Sequence, residues 1–448
     1  MKRPFFQPAA LALLFVALLA LMLPLRQPLA QSTPKIGLGD VIYDVSRPGA
    51  QDLPLALPLP IGGSPEAQTV WEVVKHDLEM SGYFRIIDPA AYLEPAGTGV
   101  EPGQFRYEDW DVPGAVVLAK TKVSSTGDGQ KAEIWVYDVP GRRKMGAKAF
   151  TVASNQPRRL GHRIADEIIY MLTGELGIFS TRLAVVSTGS GNKEVGLVDT
   201  DGYGYASVTR NGSINLQPAW SPDGGRIAYT SYVAGNPDTY IVNLASGKVQ
   251  RISNRVGVNI GAAFSPGGDL LALTLTAGGR GDSDIFTINA STGEKVAQLS
   301  PAPGIDVSPA WSPDGGQIAF ASERSGGLQV YIMSSKGGDA RRLTFQGSHN
   351  TDPAWSPKGD RIAYVGRDGK FDVFTTGIDG KNVIRLTQGQ GDNEDPSWSP
   401  DGRYLAFSST RSGGSHIYMS TADGRVQSQM TRGGGGYTNP AWSPRISW

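Results

Sequence analysis

The stretch Pro218-Ala219-Trp220-Ser221-Pro222-Asp223-Gly224 decides the fold, because the chain keeps rewriting it. It returns as Ala263-Phe264-Ser265-Pro266-Gly267-Gly268, Pro309-Ala310-Trp311-Ser312-Pro313-Asp314-Gly315, Pro353-Ala354-Trp355-Ser356-Pro357-Lys358-Gly359, Pro396-Ser397-Trp398-Ser399-Pro400-Asp401-Gly402 and Pro440-Ala441-Trp442-Ser443-Pro444. Successive aromatics stand 44, 47, 44, 43 and 44 residues apart. A fixed period of about 45 residues signals a repeat architecture. Within a copy, proline presets φ for the second position of a tight turn, Asp suits the next, and Gly accepts the left-handed conformation that closes it. A hydrophobic strand follows (Arg226-Ile227-Ala228-Tyr229), then a loop rich in Gly, Ser and Asp, then a third strand (Tyr240-Ile241-Val242). The fourth strand ends in Leu343-Thr344, Leu386-Thr387 or Met430-Thr431. Four short antiparallel strands per repeat make the blade of a β-propeller.

The ends of the repeat array set the blade count. Arg182-Leu183-Ala184-Val185 reads as a second strand with no Trp-Ser-Pro before it, and Trp442-Ser443-Pro444 has no full second strand after it. Pairing the two orphans closes a ring of six blades and removes the open edge that would otherwise invite aggregation. An open array of hairpins would leave both unpaired.

Upstream the chain reads differently. Lys2 and Arg3 precede an apolar run from Ala9 to Leu25, and Pro28-Leu29-Ala30 offers a cleavage site, the pattern of an export signal over residues 1–30. An uncleaved anchor is the competing reading. Residues 31–178 form an expected α/β domain with an N-terminal arm, and residues 179–448 the propeller. Ser64-Pro65 opens a helix whose buried face carries Val70, Val74 and Leu78, with Gly82 as its stop. A second helix from about Pro157 presents Leu160, Ile164, Ile168 and Leu172 and stops at Gly174. Phe84 to Ile87, Ala115 to Leu118 and Ile134 to Tyr137 read as strands.

Little in this chain points to catalysis. Its 448 residues carry 42 basic and 42 acidic side chains, a balance that gives no electrostatic footprint for nucleic acid. Cysteine is absent, which excludes disulfides, thiolate metal sites and a cysteine nucleophile. The four histidines, His76, His162, His349 and His416, have no metal-ligand spacing, and no Gly-x-Ser-x-Gly elbow occurs. Asp199-Thr200-Asp201-Gly202 starts like a calcium loop but lacks the remaining ligands, so it reads as a turn. Arg280-Gly281-Asp282 reads as a chance match. No cofactor and no small-molecule substrate is expected.

One constellation remains. Five residues before the repeat aromatics stand Asn215, Asn259, Asp306, Asn350, Asn393 and Tyr437. On innermost strands their side chains are expected to ring one mouth of the channel, either as a polar rim for a partner or as caps of the turns between blades. A calcium ion held there is a third possibility, weakly supported with Asp306 as the one carboxylate.

The chain resembles the TolB family of the periplasmic Tol–Pal system. The resemblance rests on the apolar leader, on Asp77-Leu78-Glu79-Met80-Ser81-Gly82-Tyr83-Phe84 running into Ile86-Ile87-Asp88, and on the junction from Leu172-Thr173-Gly174-Glu175 through Leu176-Gly177-Ile178-Phe179 to Ser180-Thr181-Arg182. It covers nearly the entire chain and implies a non-enzymatic adaptor that supports outer-membrane integrity and constriction during division. Resemblance further implies that the propeller mouth binds the lipoprotein Pal, through Asn215, Asn259, Asp306, Asn350, Asn393 and Tyr437. The arm Gln31-Ser32-Thr33-Pro34-Lys35-Ile36 would bind the inner-membrane-anchored protein TolA, with other Tol or outer-membrane proteins as further partners. The competing expectation is a periplasmic calcium-dependent propeller hydrolase or lactonase. The arm is less hydrophobic than the family's start, and Gly267-Gly268 replaces Pro-Asp-Gly in the third blade.

Overall fold

The computed structural model describes residues 35–39, 41–127, 129–153, 156–277 and 281–445. The expected export signal, arm residues Gln31 to Pro34, and Arg280 lie outside the described residues.

The α/β part begins with a hairpin of β1 (Lys35–Leu38) and β2 (Val41–Asp44). Its main sheet comprises β3 (Leu53–Ala56), β4 (Phe84–Ile86), β5 (Val117–Thr126), β6 (Gly129–Asp138) and β7 (Arg143–Ala153), in the order β4-β3-β5-β6-β7. β3 runs parallel to both its neighbours, and the β5-β6-β7 meander is antiparallel. The expected strands overlap β4, β5 and β6, with Ile87, Ala115 and Val116 falling outside them, and β1, β2, β3 and β7 are additional. Helices Pro65–Met80 and Pro157–Thr173 pack together, burying the apolar residues spaced for that purpose. Ser64 Oγ accepts the Ala67 N–H at 3.2 Å, satisfying one of the donors a helix leaves open at its start. Gly174, at φ +75°, ends the second helix in the left-handed conformation. The helices approach most closely at Gly161, where a Cβ would stand 2.7 Å from the side chain of Val73.

The propeller consists of six four-stranded antiparallel sheets. Blade 1 is the closing blade: Tyr437–Trp442 is its innermost strand and pairs with Arg182–Ser187, followed outward by Glu194–Asp199 and Ala206–Ser207. Trp442 lies opposite Leu183, the closure expected from the two orphan strands. Blades 2 to 6 open with the innermost strands Asn215–Trp220, Asn259–Phe264, Asp306–Trp311, Asn350–Trp355 and Asn393–Trp398.

Three of the repeat tryptophans stitch blade to blade, whereas the Trp355 indole N–H has no partner among the described residues. Trp220 Nε1 donates to the Ala441 carbonyl at 3.0 Å, Trp311 to Ala263 at 3.1 Å and Trp398 to Ala354 at 3.0 Å, each in the preceding blade. Trp442 instead donates to Thr181 Oγ1 at 2.8 Å. The adjoining serine fixes the turn: Ser221 Oγ accepts the Arg226 N–H at 2.9 Å while its own O–H engages Asp223. Asp199 to Gly202 is a turn, as expected, closed by Gly202 N–H on the Asp199 carbonyl at 2.8 Å.

The α/β part covers one face of the propeller. Arg403, in a first-to-second strand turn of blade 6, donates to Tyr83 Oη at 3.0 Å and to the Leu176 carbonyl at 2.8 Å. Tyr404 Oη donates to the Ser81 carbonyl at 2.8 Å, and Arg425 reaches the Gly49 carbonyl. Residues of both parts share one apolar core, with Leu78, Tyr83 and Phe179 on one side and Tyr404, Met419 and Trp442 on the other. These contacts use the turns between first and second and between third and fourth strands. Strand alternation therefore leaves the opposite face, made by the other two sets of loops, free of the α/β part.

Candidate functional site

The free face holds the ring that the repeat spacing singles out, and of the two expected roles the side chains take that of caps on the turns between blades. Asn215, Asn259 and Asn393 are 0% exposed, Asp306 2% and Asn350 3%, so they turn into the blades rather than line a solvent-facing rim. Each begins an innermost strand, and each binds the turn that precedes it or the strand beside it. Asn259 shows the pattern: its Nδ2 donates to the Arg255 carbonyl at 2.7 Å, and its Oδ1 accepts from Ser253 Oγ at 2.6 Å and Arg255 N–H at 2.9 Å. Asp306 receives Arg324 at 2.9 Å, and Asn393 receives Arg411 at 2.9 Å. A buried polar side chain seeks its bonds locally, and Asn215, Asn259, Asp306 and Asn393 find them by fastening the loops between blades. Tyr437, the sixth position, is half-buried and meets Tyr205 edge-on at 6.2 Å.

Two residues further along, a second ring lines the channel. Every innermost strand is interrupted by a bulge between its second and fifth residues. At the bulge stand Gln217 (φ +52°), Gly261 (+65°), Ser308 (+54°), Asp352 (+48°), Asp395 (+57°) and Asn439 (+48°). The left-handed conformation costs a non-glycine residue about 1–2 kcal/mol, and the fold bears that five times in one ring. In return the bulge re-aims a side chain that strict alternation would have sent elsewhere. The six residues line a channel cavity of about 160 Å³, together with the proline or alanine that follows each. Spacing from the tryptophan pointed two residues too far upstream. The available signal was the short polar residue directly before the repeat proline, of the types that tolerate left-handed backbone.

The channel is acidic on one side. Ser308 Oγ donates to Asp352 Oδ1 at 2.8 Å, and Asn439 Nδ2 donates to Asp395 Oδ1 at 2.7 Å. Burial, reinforced by the Asp395 charge, pushes the Asp352 carboxyl up to about 6. Burial also raises Asp395, against the hydrogen bonds it accepts from Ser408 and Asn439. Glu394 rises to about 7, through burial first and then the carboxylates of Asp395, Asp392 and Asp352. Around the mouth, the loops expose Val256 (97%), Phe345 (71%), Val233 and Ile214. Exposed apolar side chains around a polar opening are the usual make-up of a protein-binding face.

Of the arm, Lys35 and Ile36 lie in β1, paired with Asp44 and Tyr43, and Ile36 packs against the shared core.

A separate buried cluster joins the two parts. His162 Nδ1 lies 2.6 Å from Asp77 Oδ2, and its Nε2 lies 3.8 Å from Asp201 Oδ2 on a blade 1 turn. Ligand atoms of the three residues fall within 4.8 Å of one another, the one such group among the described residues. Arg158 already pairs with Asp201, so a guanidinium and an imidazole answer the two carboxylates without a metal. Burial opposes the charged imidazole, but Asp77, its hydrogen bond and Asp201 outweigh it and push His162 up to about 9.

Comparison with known proteins agrees with this architecture. The family described as "TolB beta propeller domain" matches residues 170–446, and "TolB amino-terminal domain" matches residues 42–145. The Tol-Pal system protein TolB of Bordetella pertussis is 34% identical over 333 residues, 74% of this chain and 72% of that protein. The protein of the same name from Desulfosudis oleivorans is 40% identical over 307 residues, 67% of this chain and 59% of its own length. For that of Geobacter sulfurreducens, 40% identity extends over 190 residues, 41% of this chain and 44% of the relative. The crystal structure of TolB from Acinetobacter baumannii superposes with a TM-score of 0.79 at 28% identity, covering 89% of this chain and 98% of that one. With its propeller, its amino-terminal domain and their order along the sequence all matched, the chain belongs to the TolB family of Tol–Pal system proteins.

Proposed function

We propose that this protein is the periplasmic adaptor of its Tol–Pal system, linking the outer-membrane lipoprotein Pal to the inner-membrane-anchored TolA. In this reading an export signal delivers the chain to the periplasm, and the link serves envelope integrity and constriction during division. As a Tol–Pal component the protein is not an enzyme, which sets aside the calcium-dependent hydrolase or lactonase. The observation that carries the proposal is the free propeller face, with exposed Val256 and Phe345 around an acidic, bulge-lined channel. Pal docks on that face. The ring of Asn215, Asn259, Asp306, Asn350, Asn393 and Tyr437 takes part by holding the mouth loops in position, and the loops and channel residues make the contact. Residues 31–36 supply the TolA contact, with the stretch before β1 adding a strand to a partner sheet.

The test uses mature protein to capture Pal from a detergent-solubilised envelope. Val256→Asp with Phe345→Asp should reduce capture at least about tenfold, a charge having entered the apolar centre of the contact. Undiminished capture would remove the free face from the proposal. Deleting residues 31–34, which spares β1, should leave Pal capture intact while abolishing retention of TolA.

A further inference from the structure

We propose that blade 5 carries a small-molecule site, built around Asn350, for a compound bearing an N–H donor, a carboxylate and an aromatic or apolar side chain. Five of the six ring positions are Asn or Asp, and four of those five acceptor oxygens are filled from within the protein. Asn211 serves Asn215 at 3.0 Å, Ser253 serves Asn259 at 2.6 Å, Arg324 serves Asp306 at 2.9 Å and Ser409 serves Asn393 at 2.7 Å. Asn350 alone differs. Its Nδ2 donates to Gln329 Oε1 at 2.9 Å and to the Gln346 carbonyl at 2.7 Å, while its Oδ1 receives no donor among the described residues and Asn350 lines an open cavity. An amide oxygen left open beside a cavity is free to accept a ligand's N–H.

The blades also differ in the residue opposite the ring position. That residue is Ser187, Ser231, Ser322 and Ser409 in blades 1, 2, 4 and 6 and Leu275 in blade 3, but Gly366, with no side chain, in blade 5. A Cβ at Gly366 would stand 3.0 Å from Asn350 Oδ1; without one, Asn350 faces a cavity of about 490 Å³ that Gly366, Tyr364, Phe374 and Arg367 also line. That volume lies in the range of small-ligand sites, about 300–1,000 Å³. Tyr364 and Phe374 are stacked at 5.4 Å and give the cavity its aromatic wall. Of the two guanidinium groups at its rim, Arg385 is held by Asp368 and Asp372, whereas Arg367 rests on the Phe371 ring at 5.4 Å and forms no ion pair among the described residues. A planar guanidinium without a carboxylate is suited to bind one in bidentate fashion. Asn350 thus asks for a donor, Arg367 for an anion and the aromatic pair for an apolar group. An amino acid or dipeptide presents all three.

Isothermal titration of the full mature chain with glycyl-tyrosine tests the site. Saturable binding is expected, with glycyl-tyrosinamide, which lacks the carboxylate, weaker by about tenfold or more, or 1.4 kcal/mol. Gly366→Ser should abolish binding by setting a side chain against Asn350 Oδ1 and the Phe374 ring, and the exposed Arg367→Gln should weaken it by a similar factor without touching the fold. Binding unchanged in both variants places the ligand elsewhere and overturns the proposal. So does the absence of saturable binding at millimolar dipeptide, in which case water alone fills the cavity.

Discussion

At the scale of single residues, the channel ring shows how much a short polar side chain decides. Asp352 sits in left-handed backbone that Asn tolerates equally well, so Asp352→Asn removes the charge and little else. Because its folded-state carboxyl is raised to about 6, the folded protein binds that proton more tightly than the unfolded chain does. Stability should therefore fall as pH rises from about 4 to about 6, then level off. Asp352→Asn should flatten that slope and raise the melting temperature above pH 7, with a gain of about 1–2 kcal/mol once water in the channel has screened part of the charge. Thermal melts across this pH range check it. No change in slope would mean that the carboxylate is ionised throughout at little cost. A similar economy governs Trp398: Trp398→Phe keeps the apolar bulk but removes the indole's bond to the Ala354 carbonyl, and should cost about 1 kcal/mol in a urea titration.

Among the elements, the repeat was legible because each part of its motif has one physical task. Trp220, Trp311 and Trp398 bridge blades, Ser221 and Asp223 lock the turn, and the 3.6-residue spacing of Leu160, Ile164 and Ile168 could mean little besides a buried helix face. The channel residues were hidden because the bulge breaks the two-residue alternation on which strand reading depends. Counting back from Trp311 reaches Asp306 correctly, yet the irregularity between Val307 and Ala310 sends Ser308, not Asp306, to the channel. β3 escaped for another reason: a strand of four residues inside a mixed sheet carries too few positions to show a period. The closing strand Tyr437–Trp442 is the element on which the ring depends. A chain ending at residue 436 should lose cooperative melting and aggregate, since Arg182–Ser187 would then present a bare edge. A soluble, cooperatively folding truncation would show that the other five blades suffice.

For the whole molecule, the His162 cluster ties the α/β part to blade 1 and makes their union sensitive to pH. The groups facing His162 are Asp77 from the first helix, Asp166 from its own helix, and Asp201 and Asp199 from blade 1, with Arg158 on Asp201. With the imidazole raised to about 9 from an ordinary 6.5, its stabilising charge is fully present below pH 6.5 and is lost as pH rises through 9. His162→Gln leaves Asp77 and Asp201 buried without that charge and should destabilise the protein at pH 7 by about 3 kcal/mol or more. The wild-type loss of stability between pH 7 and 9 should vanish with it, and calorimetry of both proteins over that range decides the point. Family membership, blade number and closure could all be read from the chain, but this junction could not, because Asp77 and His162 are 85 positions apart and nothing local links them. The closure itself has a consequence in time. Leu183 has to wait for Trp442, 259 positions later, before the first blade exists. Any partly emerged chain is a row of unjoined sheets with two raw ends and a large entropic barrier to joining them. Such a chain stays threadable until its final strand arrives, the state a polypeptide needs while it is being passed through a narrow pore, and it becomes a ring only once the passage is over.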